Sequence, residues 1–338
     1  MIQRNYKIDN IKGILIFLVV LGHILELNLS SLNLKALFII YSFHMPMFMC
    51  ITGFYAKFSV NKLLKNYVIP YIVCQAIYTV CYNLLGFDET ISYRLFTPHW
   101  AYWYIYVCII YIIGIKLFPN DTIYRICSLF ISIFLALLAG YIQQIEYTYS
   151  LSRLICFLPF FMLGYYLGNP TSKNYLLKCK KILDNKFLKI GIGLIAVMAI
   201  AYLTYTLRYS SVKILYYAKS YSEYGIDVTF RVRTMLLNFI WMIVVYLATP
   251  SKKLPILSNI GQNTFTLYLL HGIIVIIIKK MDIFYSYSIE NTVVALILAI
   301  AITAILGNKT VNKWGKYLLT GVWAVDIISK IKASRKEV

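Results

Sequence analysis

One stretch concentrates the side chains that could do chemistry: KGILIFLVVLGHILE, Lys12 to Glu26. It sets a lysine, an imidazole and a carboxylate into an otherwise apolar run. Lys12 and His23 are eleven residues apart, which returns them to one helical face about 16 Å apart along the axis. His23 and Glu26 are spaced i,i+3, so the carboxylate can meet the ring. Histidine suits proton transfer near neutral pH, and a carboxylate on its other nitrogen fixes the tautomer and stabilises the imidazolium. Ionisable residues inside an apolar span are costly and are usually kept for a function or a partner.

Two further histidines, His44 in FHMPMFMCITGF and His271 in LYLLHG, fall about as far into their own apolar runs as His23 does into the first. At about 1.5 Å per residue the three are expected to share one depth near the bilayer centre. Competing readings are hydrogen bonds between helices and a three-histidine metal site, which the spacing does not favour. Arg153 opens the sixth run, while Arg231 and Arg233 open the eighth and read as side chains snorkelling to the interface. Pro46, Pro70 and Pro159 fall inside runs, where they are expected to break the helix and line a cavity. The GYYLG end of the sixth run suggests a cavity wall as well.

The elements that must position these groups follow from composition. Hydrophobic residues make up 60% of the 338, charged residues 14%, and the mean hydropathy is +0.71. Such a chain is an all-α integral membrane protein rather than a soluble one. Ten spans are expected: Ile11 to Leu29, Leu34 to Ala56, Tyr67 to Phe87, Trp100 to Leu117, Tyr124 to Gln143, Ser150 to Gly168, Leu188 to Leu207, Thr229 to Ala248, Asn259 to Ile278 and Asn291 to Gly307. The net charge of +20 could suggest nucleic acid, but most of the 33 basic residues cluster in alternate short loops. That asymmetry points to positive-inside topology, with both termini cytoplasmic and no nucleic-acid partner.

Residues 1–310 therefore read as one transmembrane domain and 311–338 as a basic cytoplasmic tail. Within the tail, Tyr317 to Ile328 is too short to span and is expected to lie at the interface. The seven cysteines form no C-x-x-C pair, and six sit in apolar runs, so they read as reduced thiols without a disulfide or metal role. The basic N-terminus before an apolar run has no small-residue cleavage site after it and is read as the first span, not a signal peptide.

Taken together, these residues resemble membrane acyltransferase family 3, the bacterial sugar and polysaccharide O-acetyltransferases, and within it the fucose 4-O-acetylase-like branch. That family's first helix carries a basic residue, ten residues and a histidine, matched here by Lys12 and His23 within IDNIKGILIFLVVLGH. Its second reads H-x-P-x-F followed by Ser-Gly-Phe; His44, Pro46, Phe48, Gly53 and Phe54 match, with Thr52 in place of the serine. HWAYWYI with Trp103 is similar to the family's fourth-span start. Arg153 with FLPFFMLGYYLG is similar to its sixth span, and NIGQNTFTLYLLH ending at His271 to its late helix. The resemblance runs from about residue 4 to 310.

It implies acetyl transfer from cytoplasmic acetyl-CoA to a hydroxyl of a polysaccharide or lipid-linked sugar, in a bacterial inner membrane, with no permanently bound cofactor. His23, Glu26 and His44 are then candidate catalytic residues, Lys12 and Arg153 candidate donor contacts, and Trp103, His271 and Thr52 candidate acceptor contacts. Lys12 would hold a CoA phosphate, and the pantetheine arm would reach His23. Membrane lipids and polysaccharide-assembly proteins are expected partners. Family members that carry a fused extracytoplasmic hydrolase-like domain pass the acyl group onward outside; no such domain follows here up to Val338, so direct transfer is expected. Two other classes stay open on the residues alone: a secondary transporter, which also shows broken helices and midplane charges, and a structural or lipid-binding subunit.

Overall fold

Asn5 opens the first helix, its side chain accepting the N–H of Ile8. In the computed structural model, which describes residues 4–87, 89–119, 121–172, 177, 185–207, 212–284 and 289–323, α1 runs Tyr6–Leu25. It starts well before the apolar run because its first polar residues are satisfied inside the protein. Asp9 accepts from Arg4 at 2.7 Å and pairs with Lys12 at 3.5 Å. Asn10 donates to the carbonyls of Pro250 and Lys252 and accepts from Ser258. The shift corrects one expectation: His23 lies in the last turn of α1, not at its midpoint.

The second span is two helices, α2 (Ser31–Tyr41) and α3 (His44–Tyr55). Pro46 has no N–H to offer the carbonyl four residues back, that of Ser42, and would crowd it. The freed carbonyl accepts from Asn238 Nδ2 instead. Pro70 acts similarly in the third span, where α4 (Val60–Leu63) passes through a π-helical turn at Leu64–Val68 before α5 (Ile69–Leu84). Pro159, by contrast, sits inside an unbroken helix.

The next helices are α6 (Trp103–Gly114), entered through a 3-10 turn at Trp100–Tyr102, α7 (Thr122–Leu138) and α8 (Leu151–Gly168). Tyr166 and Leu167 of GYYLG line a cavity with Arg125 and Thr171, away from His23, while its glycines serve packing. Gly164 and Gly168, with Gly53 of α3, leave no room for a Cβ against the main chain opposite, so α3 and α8 touch backbone to backbone. This is the small-xxx-small packing of membrane helices.

The chain continues with α9 (Lys186–Leu207), α10 (Val228–Ala248), α11 (Pro255–Gln262), α12 (Thr264–Met281), α13 (Ile289–Leu306) and α14 (Lys309–Leu319). Ten segments are long and apolar enough to cross a membrane, and no strand occurs among the described residues.

Three expectations are displaced. The ninth span begins at Thr264, because α11 is a separate helix packed backbone to backbone on α1 at Gly13 and Gly261. The tail helix lies at Lys309–Leu319, with Gly315 seated on Thr266 of α12, while residues 324–328 of the expected segment lie outside the described residues. Arg231 is not a snorkelling side chain: it is 2% exposed, donates to the carbonyls of Ala136 and Lys219, and lies over the rings of Tyr217 and Tyr221. Cys179 lies outside the described residues.

Candidate active site

One face of α1 carries Lys12, Ile16, Val19 and His23, at spacings of four, three and four, and it faces two cavities in succession. Lys12 and Ile16 line the first, an open space of about 1000 Å³ walled by Thr52, Tyr55, Asn66, Tyr67, Tyr104 and the start of α12. Val19 and His23 line the second, about 610 Å³ with its opening to solvent included, together with Glu26, Tyr41, His44, Trp100, Trp103, Arg153 and Tyr216. Tyr268 borders both cavities, its hydroxyl held by the carbonyl of Ala101.

In the second cavity the imidazole is fixed from several sides. Nδ1 of His23 is 3.0 Å from Glu26 Oε2, and the hydroxyl of Tyr41 is 3.5 Å from the same nitrogen. A carboxylate only accepts, so Nδ1 is the nitrogen that donates to Glu26, and Nε2 is the one left for a substrate. The ring packs 4.2 Å from that of Trp100 and stacks 5.5 Å from that of His271. Glu26 accepts a second hydrogen bond from the phenol of Tyr216.

Glu26 lies just beyond α1. Burial pushes its carboxyl up, but the hydrogen bond and charge of His23, with the Tyr216 bond, more than offset this and hold it below the ordinary carboxylate value. Burial and the Glu26 charge push the Tyr216 phenol up, so it stays protonated as the donor.

The sequence-derived candidates divide between the cavities. His44, Trp103 and Arg153 join His23 and Glu26. His44 opens α3, its Nδ1 donating to the Ile40 carbonyl at 2.8 Å. Arg153 donates to the Tyr216 carbonyl and stacks between Trp103 and Tyr147, at 5.0 and 5.4 Å. It therefore sits with the imidazole and away from Lys12. Thr52 lies on the Lys12 side, its hydroxyl 2.5 Å from that of Tyr104. His271 is fully buried behind His23 and Trp100 and is not on the wall. Its Nδ1 donates to Tyr268 O at 2.7 Å, and its Nε2 has no hydrogen-bond partner among the described residues.

The sequence reading missed Trp100, Tyr41, Tyr216 and Asp9. Trp100 has φ +36, in the left-handed region that a bulky residue adopts only under constraint. Its ring packs close over Gly272, where a Cβ would stand 3.3 Å from the indole. A positioned imidazole, aromatic walls and a nearby guanidinium are groups that can take the proton of a hydroxyl and stabilise charge that develops beside it.

The sequence matches the family described as acyltransferase domain over residues 5–307. The chain belongs to acyltransferase family 3. Nodulation protein NolL of Sinorhizobium fredii is 45% identical over 65 residues, 18% of each chain. Nodulation protein NolL of Mesorhizobium japonicum is 26% identical over 191 residues, 50% of this chain and 49% of its own length. The chain thus spans about half the length of the second relative and less of the first. No solved structure matches.

Family membership bears on the open readings: the chain belongs to an acyltransferase family and carries ten helices long and apolar enough to cross a membrane. The matched region contains both cavities and ends before α14.

Proposed function

We propose that this family 3 member is an O-acetyltransferase that moves an acetyl group from acetyl-CoA to a hydroxyl of a polysaccharide or lipid-linked sugar, in a bacterial inner membrane with both termini cytoplasmic. The observation that carries the reading is the stripe on α1 that gives Lys12 to one cavity and His23 to the next. Acetyl-CoA enters the Lys12 cavity, and its pantetheine arm runs past Ile16 towards Tyr268. The acceptor sugar occupies the second cavity, whose tryptophans and tyrosines suit the apolar faces of a sugar ring.

His23 Nε2 takes the proton of the acceptor hydroxyl as its oxygen attacks the thioester carbonyl. Collapse of the tetrahedral intermediate breaks the carbon–sulfur bond, and the departing thiolate recovers that proton from His23. The products are the acetyl ester and CoA. Glu26 holds the ring and stabilises the transient imidazolium. Arg153, in the same cavity, supplies positive charge to the developing oxyanion or to acceptor oxygens.

The test is NMR of the surface glycan for O-acetyl groups in cells with the protein, without it, and with His23→Ala. The reading requires O-acetyl groups only in the first. O-acetylation retained with His23→Ala in a folded protein overturns it.

A further inference from the structure

The Lys12 end of the bundle has less free positive charge than its basic residues suggest. Asp9 is shared between Lys12, at 3.5 Å, and Arg4, at 2.7 Å, so one carboxylate already serves two cations. A third cation arrives from α14, beyond the family-matched region. Lys316 projects over the ring of Phe265, 5.8 Å from its centroid, and Phe265 lines the same cavity as Lys12. Lys316 is also close enough to Lys12 to repel it electrostatically. It has no carboxylate within ion-pairing distance among the described residues.

The position of Lys316 is built, not incidental. On the buried face of α14, Asn312 accepts the Thr266 N–H and the Thr266 hydroxyl donates to the Asn312 carbonyl. Asn312 also donates to Asn263 at 2.9 Å, and Gly315 leaves no space for a Cβ against Thr266. These contacts clamp α14 to the start of α12, whose Thr264 and Phe265 form the cavity rim. Lys12 and Lys316 repel each other while the carboxylate beside Lys12 is already shared with Arg4, an arrangement that a polyanion relieves.

We propose that Lys316 is a second cationic contact, beside Lys12, for a phosphate of the acyl donor at the mouth of the larger cavity. The inference rests on the acetyl-CoA reading above and adds to it a residue outside the matched domain. Lys12 meets the phosphate from α1 and Lys316 meets it from α14, so the tail helix completes the donor site instead of only resting on the membrane.

The experiment measures CoA binding to the purified full chain in detergent, beside glycan acetylation in cells. Lys316→Gln, which keeps much of the side chain, is expected to raise the CoA dissociation constant about tenfold, and Lys316→Arg to restore it. Lys279→Ala removes the same charge at the opposite end of α12 and is expected to change nothing. With S-acetyl-N-acetylcysteamine, a thioester without phosphates, Lys316→Gln is expected to transfer acetyl as fast as the unaltered protein.

Unchanged CoA affinity in Lys316→Gln, or no CoA binding by the unaltered protein, overturns the proposal. CoA binding that depends on Lys316 in a protein that leaves glycans unacetylated supports the phosphate contact and removes the acetyl-transfer reading. Normal acetylation with CoA affinity indifferent to position 316 does the reverse.

Discussion

The phenol of Tyr216 reaches across 190 residues of sequence to donate to Glu26, whose other oxygen holds His23. A loop residue thereby sets the orientation of the imidazole on α1. Replacing Tyr216 by Phe leaves Glu26 with one donor fewer. We expect kcat for acetyl transfer to fall about tenfold, since hydrogen bonds to charged groups are worth about 1.5–3 kcal/mol. On the proposed reading the donor binds in the other cavity, so its KM is expected to stay constant. Steady-state kinetics on both substrates checks this.

Glu26 also leaves a signature in pH dependence. Its carboxyl is held below the ordinary value of 4.5 in the folded protein. The folded state therefore binds fewer protons at this site than the unfolded chain. The stability this contributes is fully present above about 4.5 and is lost as pH falls through the lowered folded value. The melting-temperature difference between the unaltered protein and Glu26→Gln is expected to shrink on acidification below that point. A difference that is flat or grows on acidification contradicts the assignment.

Trp100 couples backbone constraint to the site. Its positive φ favours glycine over any residue with a Cβ. Trp100→Gly and Trp100→Ala both remove the indole from His23, and both are expected to lose most of the activity. Trp100→Gly should nonetheless be the more stable of the two by about 1 kcal/mol. Denaturation of the two variants in detergent measures the difference directly.

The contact between α3 and α8 has no spare volume. Gly164→Leu sets a side chain against the main chain at Cys50 and is expected to abolish accumulation of monodisperse protein, as read by size-exclusion chromatography. His23→Ala, at a residue 15% exposed at its side chain in the second cavity, is expected to remain monodisperse while losing at least about a hundredfold in rate. The two variants separate folding from chemistry.

Much of this architecture was legible in the sequence. Ten apolar runs gave ten spans because burying a polar backbone in lipid leaves helices as the solution for such runs. The boundaries failed where polar side chains are satisfied by protein: Asp9 and Asn10 extend α1 backwards, and α11 splits from the ninth run to pack on it. The break at Ser42 needed two facts together, Pro46 nearby and Asn238 on a distant helix.

Within the site, the pairing of His23 with Glu26 was readable because i,i+3 spacing is local. Tyr216, Tyr41 and Trp100 were not. Their roles depend on tertiary contacts, and among 31 tyrosines no spacing marks one out. Arg153 was recognised as a candidate, but nothing in its own run told which cavity it enters.

On the proposed reading, the stripe on α1 makes activity sensitive to phase as much as to chemistry. Each residue of a helix turns the chain by about 100°, so an insertion of one residue between Ile16 and Val19 would swing His23 a quarter-turn away while Lys12 stays in place. Donor capture and proton transfer would then fall out of step with every original side chain still present. A four-residue insertion nearly restores the angle but lengthens the path by about 6 Å, beyond a carrier arm of fixed length. On that reading the first helix works as a ruler and a protractor at once.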